Sequence, residues 1–139
     1  MKILGLDLGT VKTGVSISDV NSNFAAPLTL IKEKNPEKLL FKVLEVINKN
    51  NVKKLVIGLP KNMDGSEGER ALFSRKFANT IKNKISDIKI FLQDERGTTI
   101  TANTYLNITN VRGKKRKKII DIVSAVIILQ EFLDMYNSK

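Results

Sequence analysis

The segment Leu55-Val56-Ile57-Gly58-Leu59, closed by Pro60, reads as a short buried strand with helical periodicity on both sides. A strand bounded by helices cannot form a hairpin with the next strand and pairs with it in parallel, through a crossover. Before it, Asn35-Pro36 is an N-cap followed by proline at the first helical position. Leu39, Leu40, Val43, Leu44 and Ile47 then recur at helical spacing, which predicts a helix over 36–50. After it, Ser66-x-x-Glu69 is a capping-box pattern opening a second helix, with Leu72, Phe73, Phe77 and Ile81 expected inward. A further strand follows over Ile88 to Gln93.

The N-terminal third is different. Residues 2–8, 13–19 and 25–31 are strand-like runs joined by short turns, an antiparallel meander whose third member is placed at an edge by Pro27. The C-terminal third predicts a short helix capped by Thr98 and reaching Leu106, then a polar, positive loop over 109–118. A helix over 119–133 follows, apolar on nearly all sides and therefore buried. The order βββ-α-β-α-β-α-α fits an α/β fold: a five-stranded mixed sheet flanked by helices, as a single domain over 1–139.

Composition excludes much chemistry. The chain has no cysteine and no histidine, which removes disulfides, thiol nucleophiles, thiolate or imidazole zinc sites and histidine triads. Catalysis must rest on carboxylates, hydroxyls, lysines, arginines or a metal. No apolar stretch reaches the length of a membrane span, and no signal-peptide pattern opens the chain, so no membrane association is expected. A net charge of +10 favours a polyanionic partner, although lysine-rich composition alone is weak support.

Three acidic positions pose one problem. Asp7 interrupts the apolar run Ile3 to Leu8, Asp94-Glu95 end the fifth strand, and Asp121 lies near the start of the buried helix. A buried unpaired carboxylate costs several kcal/mol, so such groups are exposed, protonated, paired or metal-bound. Singly, each reads most simply as a solvated strand end or a helix-dipole residue. Together they gain meaning, because parallel strands carry both carboxylates to their C-terminal ends, where open α/β sheets bind ligands. Three acidic groups without histidine make a hard-ligand set for Mg²⁺ or Mn²⁺, suited to phosphodiester hydrolysis. Strand alternation sends Asp94 and Glu95 to opposite faces. Glu95 has the longer reach and is the preferred ligand beside Asp7 and Asp121, with Asp94 the alternate.

Basic residues surround these positions. Arg112, Lys114, Lys115, Arg116, Lys117 and Lys118 fill six of seven consecutive places and lead directly into the helix carrying Asp121. They are expected to hold phosphates without reading sequence. Arg70, Arg75 and Arg96 are further candidates for backbone contact. Gly58-Leu59-Pro60 and the loop Asn62 to Gly68 follow a strand end and should rim the same face, either as a phosphate-holding rim or, more simply, as a capped connection.

GLDLGTVKTGVSISD, VIGLPKNMDGSEGERALFSRKFANTI, DERGTT and KKRKKIIDIVSAVIILQEFLD together resemble the signature blocks of the YqgF (RuvX) family, in order and across essentially the whole chain. The resemblance implies a ribonuclease-H-like fold related to the resolvase RuvC. It implies a metal-dependent nuclease of the bacterial cytoplasm, described both as maturing the 5′ end of pre-16S rRNA and as a Holliday-junction resolvase. By resemblance Asp7 is the first-strand acid, Asp94-Glu95 the DER acids and Asp121 the acid of the last helix. Two positions depart from the pattern: Val11 follows Gly-Thr where the family has a basic residue, with Lys12 next, and Gly97 follows DER where a large apolar residue is usual.

The leading expectation is a nuclease acting on structured RNA in ribosome biogenesis. The same site on branched DNA would make a four-way-junction resolvase, and loss of catalysis would leave a ribosome-assembly RNA binder. Asp-x-Gly-Thr also suits a sugar-kinase or actin-like ATPase, but those need two such domains around a nucleotide. Oligomeric state is not legible in the sequence.

Overall fold

The computed structural model describes residues 1–95 and 114–137, with backbone alone for 114–119 and 121. Its elements are β1 (Ile3–Asp7), β2 (Lys12–Ser18), β3 (Ala25–Lys32), α1 (Pro36–Asn50), β4 (Lys54–Leu59), α2 (Glu69–Lys84), β5 (Lys89–Asp94) and α3 (Lys114–Asn137). The five strands form one sheet in the order β3-β2-β1-β4-β5. The meander is antiparallel, and β1, β4 and β5 run parallel, with Leu6 opposite Ile57 and Leu59 opposite Asp94. Pro27 lies on the edge strand β3, as its missing N–H requires.

Helices cover both faces. On one, Leu4, Leu6, Val15, Leu55 and Ile57 pack against Leu39, Val43 and Ile47 of α1 and Phe77, Ala78 and Ile81 of α2. On the other, Ile3 and Val56 pack against Ile128, Leu129, Phe132 and Leu133 of α3. Ser16 donates its hydroxyl to the Ala125 carbonyl at 2.7 Å in the buried interior, tying β2 to α3. Asn35 caps α1 as expected, accepting from the Glu37 and Lys38 amides at 2.9 and 3.1 Å. Asn51 closes α1 in the left-handed region.

Three expectations are corrected. The N-cap of α2 is Gly68, not Ser66. The Ser66 hydroxyl is taken by Asp64 at 2.6 Å and Asn62 at 2.9 Å, so local turn bonding outcompetes the capping box. Leu72 is 60% exposed; Ala71, Ser74, Phe77, Ala78 and Ile81 form the inner stripe of α2 instead. The last helix begins at Lys114, so Lys114, Lys115, Arg116, Lys117 and Lys118 belong to its first turns and not to a loop. The predicted helix from Thr98 to Leu106 lies outside the described residues. Among the described residues no helix is long and apolar enough to cross a membrane.

Candidate active site

The parallel arrangement brings Asp7, at the end of β1, and Glu95, just past β5, to the same edge of the sheet, with β4 between them. Alternation decides which acid faces which way. Ile90 and Leu92 pack on the α1/α2 side and Phe91 on the α3 side, so Asp94 shares the first face and Glu95 the second. Asp7 follows Ile3 and Gly5 on the α3 side by the same rule. The Glu95 backbone N–H donates to the Leu59 carbonyl at 3.2 Å, extending the ladder one residue and setting the side chain's height.

Glu95 hydrogen-bonds Asp7 across β4, and Gly58 makes the crossing possible. A β-carbon at residue 58 would stand 2.5 Å from Glu95 Oε2 and 2.7 Å from Ile128 Cδ1. Any larger residue there would push the carboxyl group off the strand surface. Sequence reasoning placed Gly58 only near the rim of the site; the signal for its role was a glycine inside an otherwise apolar strand, a mark of close approach.

Burial, the charge and hydrogen bond of Asp7, and the charge of Asp94 push the Glu95 carboxyl up to about 8, with Arg70 pulling the other way. At neutral pH the Asp7–Glu95 pair therefore shares a proton across its hydrogen bond. Two carboxylates held this close retain a proton because like charges side by side do not both ionise. A pair of hard oxygen donors fits a divalent cation. Among the described side chains no cluster of three or more acidic groups converges. Asp121 lies in the second turn of α3, and its side chain is outside the description.

The basic candidates separate into distinct environments. Arg70, in the first turn of α2, donates through Nη2 to the Leu8 carbonyl at 3.2 Å and lies 4.7 Å from the Phe73 ring centroid. It is thus anchored beside the residue that follows Asp7. Arg75 is engaged by Glu67 through two bonds of 2.6 and 2.7 Å, which fastens the loop before α2 to the helix. Lys12 starts β2, half-buried, two residues before the Gly14 that pairs with Asp7. Lys114, Lys115, Arg116, Lys117 and Lys118 occupy the N-terminal turns of the helix that carries Asp121. Arg96 and Arg112 lie outside the described residues, as does Gly97.

A family model described as RuvX, Holliday junction resolvase, matches residues 1–135. A protein of Bacillus cytotoxicus is 41% identical over 137 residues, 96% of this chain and 98% of that one. One of Lactococcus lactis subsp. cremoris is 44% identical over 140 residues, 99% and 97% of the two chains. Both are provisionally named pre-16S rRNA nuclease. Among solved structures, RuvC of T. thermophilus in complex with a Holliday junction substrate superposes with a TM-score of 0.63 at 12% identity, covering 100% of this chain and 97% of that one. That likeness is one of fold.

Proposed function

Since the chain belongs to the RuvX family, we propose that it is a metal-dependent nuclease that trims the 5′ end of pre-16S rRNA during ribosome biogenesis, in the cytoplasm. The observation that carries the reading is the Glu95–Asp7 hydrogen bond over Gly58, at the C-terminal edge of the parallel strands. Such an edge is where ligands meet an open α/β sheet. Asp7, Glu95 and Asp121 would hold a magnesium or manganese ion, which when bound supplies an activated water and charge stabilisation at a phosphodiester.

The protein's own groups do the rest. An ion held by Asp7 and Glu95 would replace their shared proton, and both carboxylates would then be charged. The anchored guanidinium of Arg70 faces the same edge and holds a non-bridging phosphate oxygen, a role suited to a planar, permanently charged donor. Lys12 and the basic turns of α3 (Lys114, Lys115, Arg116, Lys117, Lys118) bind flanking phosphates, and Arg96 and Arg112 are proposed to do the same. Arg75 contributes least, because Glu67 already satisfies it.

The test is cleavage of two substrates by one preparation: a pre-16S RNA fragment spanning the mature 5′ end, and a four-way DNA junction, each with Mg²⁺ or Mn²⁺. Preferred cutting of the RNA supports the reading. Preferred symmetric cutting of the junction replaces it with the resolvase. Cutting of neither by folded protein, with RNA still bound, leaves the assembly binder.

A further inference from the structure

At the far end of α3, beside β5, lies a second cluster of chemistry away from the carboxylate pair. Phe91, Phe132 and Tyr136 form a continuous aromatic group. Phe91 and Phe132 have centroids 4.8 Å apart, Phe132 and Tyr136 stack at 5.3 Å, and Phe91 meets Tyr136 edge-on at 6.1 Å. Phe132 belongs to the core, but Met135 and Tyr136 are exposed, at 58% and 40%. A cleft of about 390 Å³ opens here, walled by Phe91, Leu92, Gln93, Phe132, Met135 and Tyr136. Its strand is the last of the sheet among the described residues.

Two features point to an anionic, flat occupant. Lys54 and Lys89 are direct cross-strand partners on β4 and β5. Like charges placed opposite one another destabilise a sheet, so the pair calls for an anion. Both lysines approach Tyr136. Lys54 Nζ donates to the phenol oxygen at 2.9 Å and stands 4.9 Å from the ring centroid. Lys54, by that bond and its charge, and Lys89, by its charge, hold the hydroxyl below its ordinary range. The second feature is Gln93, whose side-chain amide, among the described residues, donates to the Met135 thioether at 3.8 Å, a weak acceptor. An amide so placed can bond the edge of a base. Glu131 and Asp134, the acidic residues of this part of α3, are not among the walls.

The cleft lies on the same strand, β5, that leads to the candidate active site. Phe91, Gln93 and Glu95 share one face of β5 by alternation, so four residues, about 13 Å of extended chain, separate the aromatic group from the carboxylate. We propose that this cleft is a stacking subsite for an unpaired nucleobase of the RNA whose phosphodiester lies at Asp7 and Glu95, with Lys54 and Lys89 holding the adjoining phosphate. This rests on the nuclease reading and adds that the substrate leaves the carboxylates as a single strand along β5. Aromatic stacking is tolerant of base identity, so the subsite selects strandedness rather than sequence.

The chain contains no tryptophan, so Tyr136→Trp installs a single tryptophan, selectively excitable, at the cleft. In an Asp7→Asn background, the emission of that variant is followed as a short single-stranded RNA is added, while anisotropy of the labelled RNA reports total binding. Saturable quenching that tracks the anisotropy, lost with an abasic strand, is the expected result. Tyr136→Ala should weaken single-strand binding about 5- to 50-fold with duplex RNA unaffected, and Tyr136→Phe should bind as wild type. Binding with unchanged emission, or a Tyr136→Ala variant that binds single strands as wild type, overturns the subsite and leaves the nuclease reading standing. If no RNA binds and wild type cuts none, both fall.

Discussion

The carboxyl group of Glu95 lies directly over Gly58, its Oε2 2.5 Å from where a β-carbon would stand. Two strands' ends are joined over the back of a third because that third strand has no side chain at the crossing point. Gly58→Ala should therefore separate Glu95 from Asp7 while sparing the sheet, since the obstructed atoms are the ends of flexible side chains. Cleavage is expected to fall at least tenfold, a loss of about 1.4 kcal/mol or more in transition-state stabilisation. Circular dichroism should show a folded protein melting within a few degrees of wild type.

The raised carboxyl makes the metal-free protein sensitive to alkali. Glu95 is held at about 8, against 4.5 unperturbed. A group whose folded value is raised contributes stability that is complete below its unfolded value and is lost as pH rises through the folded one. Between about pH 5 and pH 8 wild type in EDTA should lose stability progressively. Glu95→Gln, which keeps a donor toward Asp7, should remove that slope, melting about 5 °C higher than wild type at pH 8.5 and no higher at pH 5. Thermal denaturation at the two pH values checks it.

Cation binding should reverse the same penalty. Mg²⁺ or Mn²⁺ at a hundred times its dissociation constant should stabilise wild type by about 2.7 kcal/mol. Asp7→Asn and Glu95→Gln should show a much smaller increment in the same melting series. Binding should also release a proton from the Asp7–Glu95 pair near neutral pH, so the apparent heat in calorimetry should change with buffer ionisation enthalpy.

Ser16 holds the helix that carries Asp121 against the sheet, through its buried 2.7 Å bond to the Ala125 carbonyl. Ser16→Ala should destabilise the protein by about 1 kcal/mol, the net worth of one buried hydrogen bond. Urea denaturation reads this directly.

Much of this was legible in the sequence, for identifiable reasons. Strand and helix order followed from periodicity. Asp7 stood out because a carboxylate in an apolar run needs a partner, and Glu95 was preferred to Asp94 for its longer reach. What escaped depended on register or competition. Gly58 matters through a residue that reaches it from another strand, and the Lys54–Lys89 pair exists only once β4 and β5 are aligned. Ser66 was a plausible cap until Asp64 and Asn62 claimed its hydroxyl, and Arg75 a plausible phosphate ligand until Glu67 claimed its guanidinium. Leu72 is apolar but falls outside the stripe of Ala71, Ser74, Phe77, Ala78 and Ile81, whose small members carry little hydrophobic signal.

The central claim is that Asp7 and Glu95 form one metal-dependent catalytic unit. The most direct measurement is the single-turnover cleavage rate of an end-labelled pre-16S RNA fragment, with Mg²⁺ and with EDTA. It is made for wild type, Asp7→Asn, Glu95→Gln and the double variant. If the two act as a unit, each single variant loses about as much as the double, at least a hundredfold, and wild type in EDTA is equally slow. A double variant that cuts at the wild-type rate, or wild type that cuts undiminished in EDTA, contradicts the account.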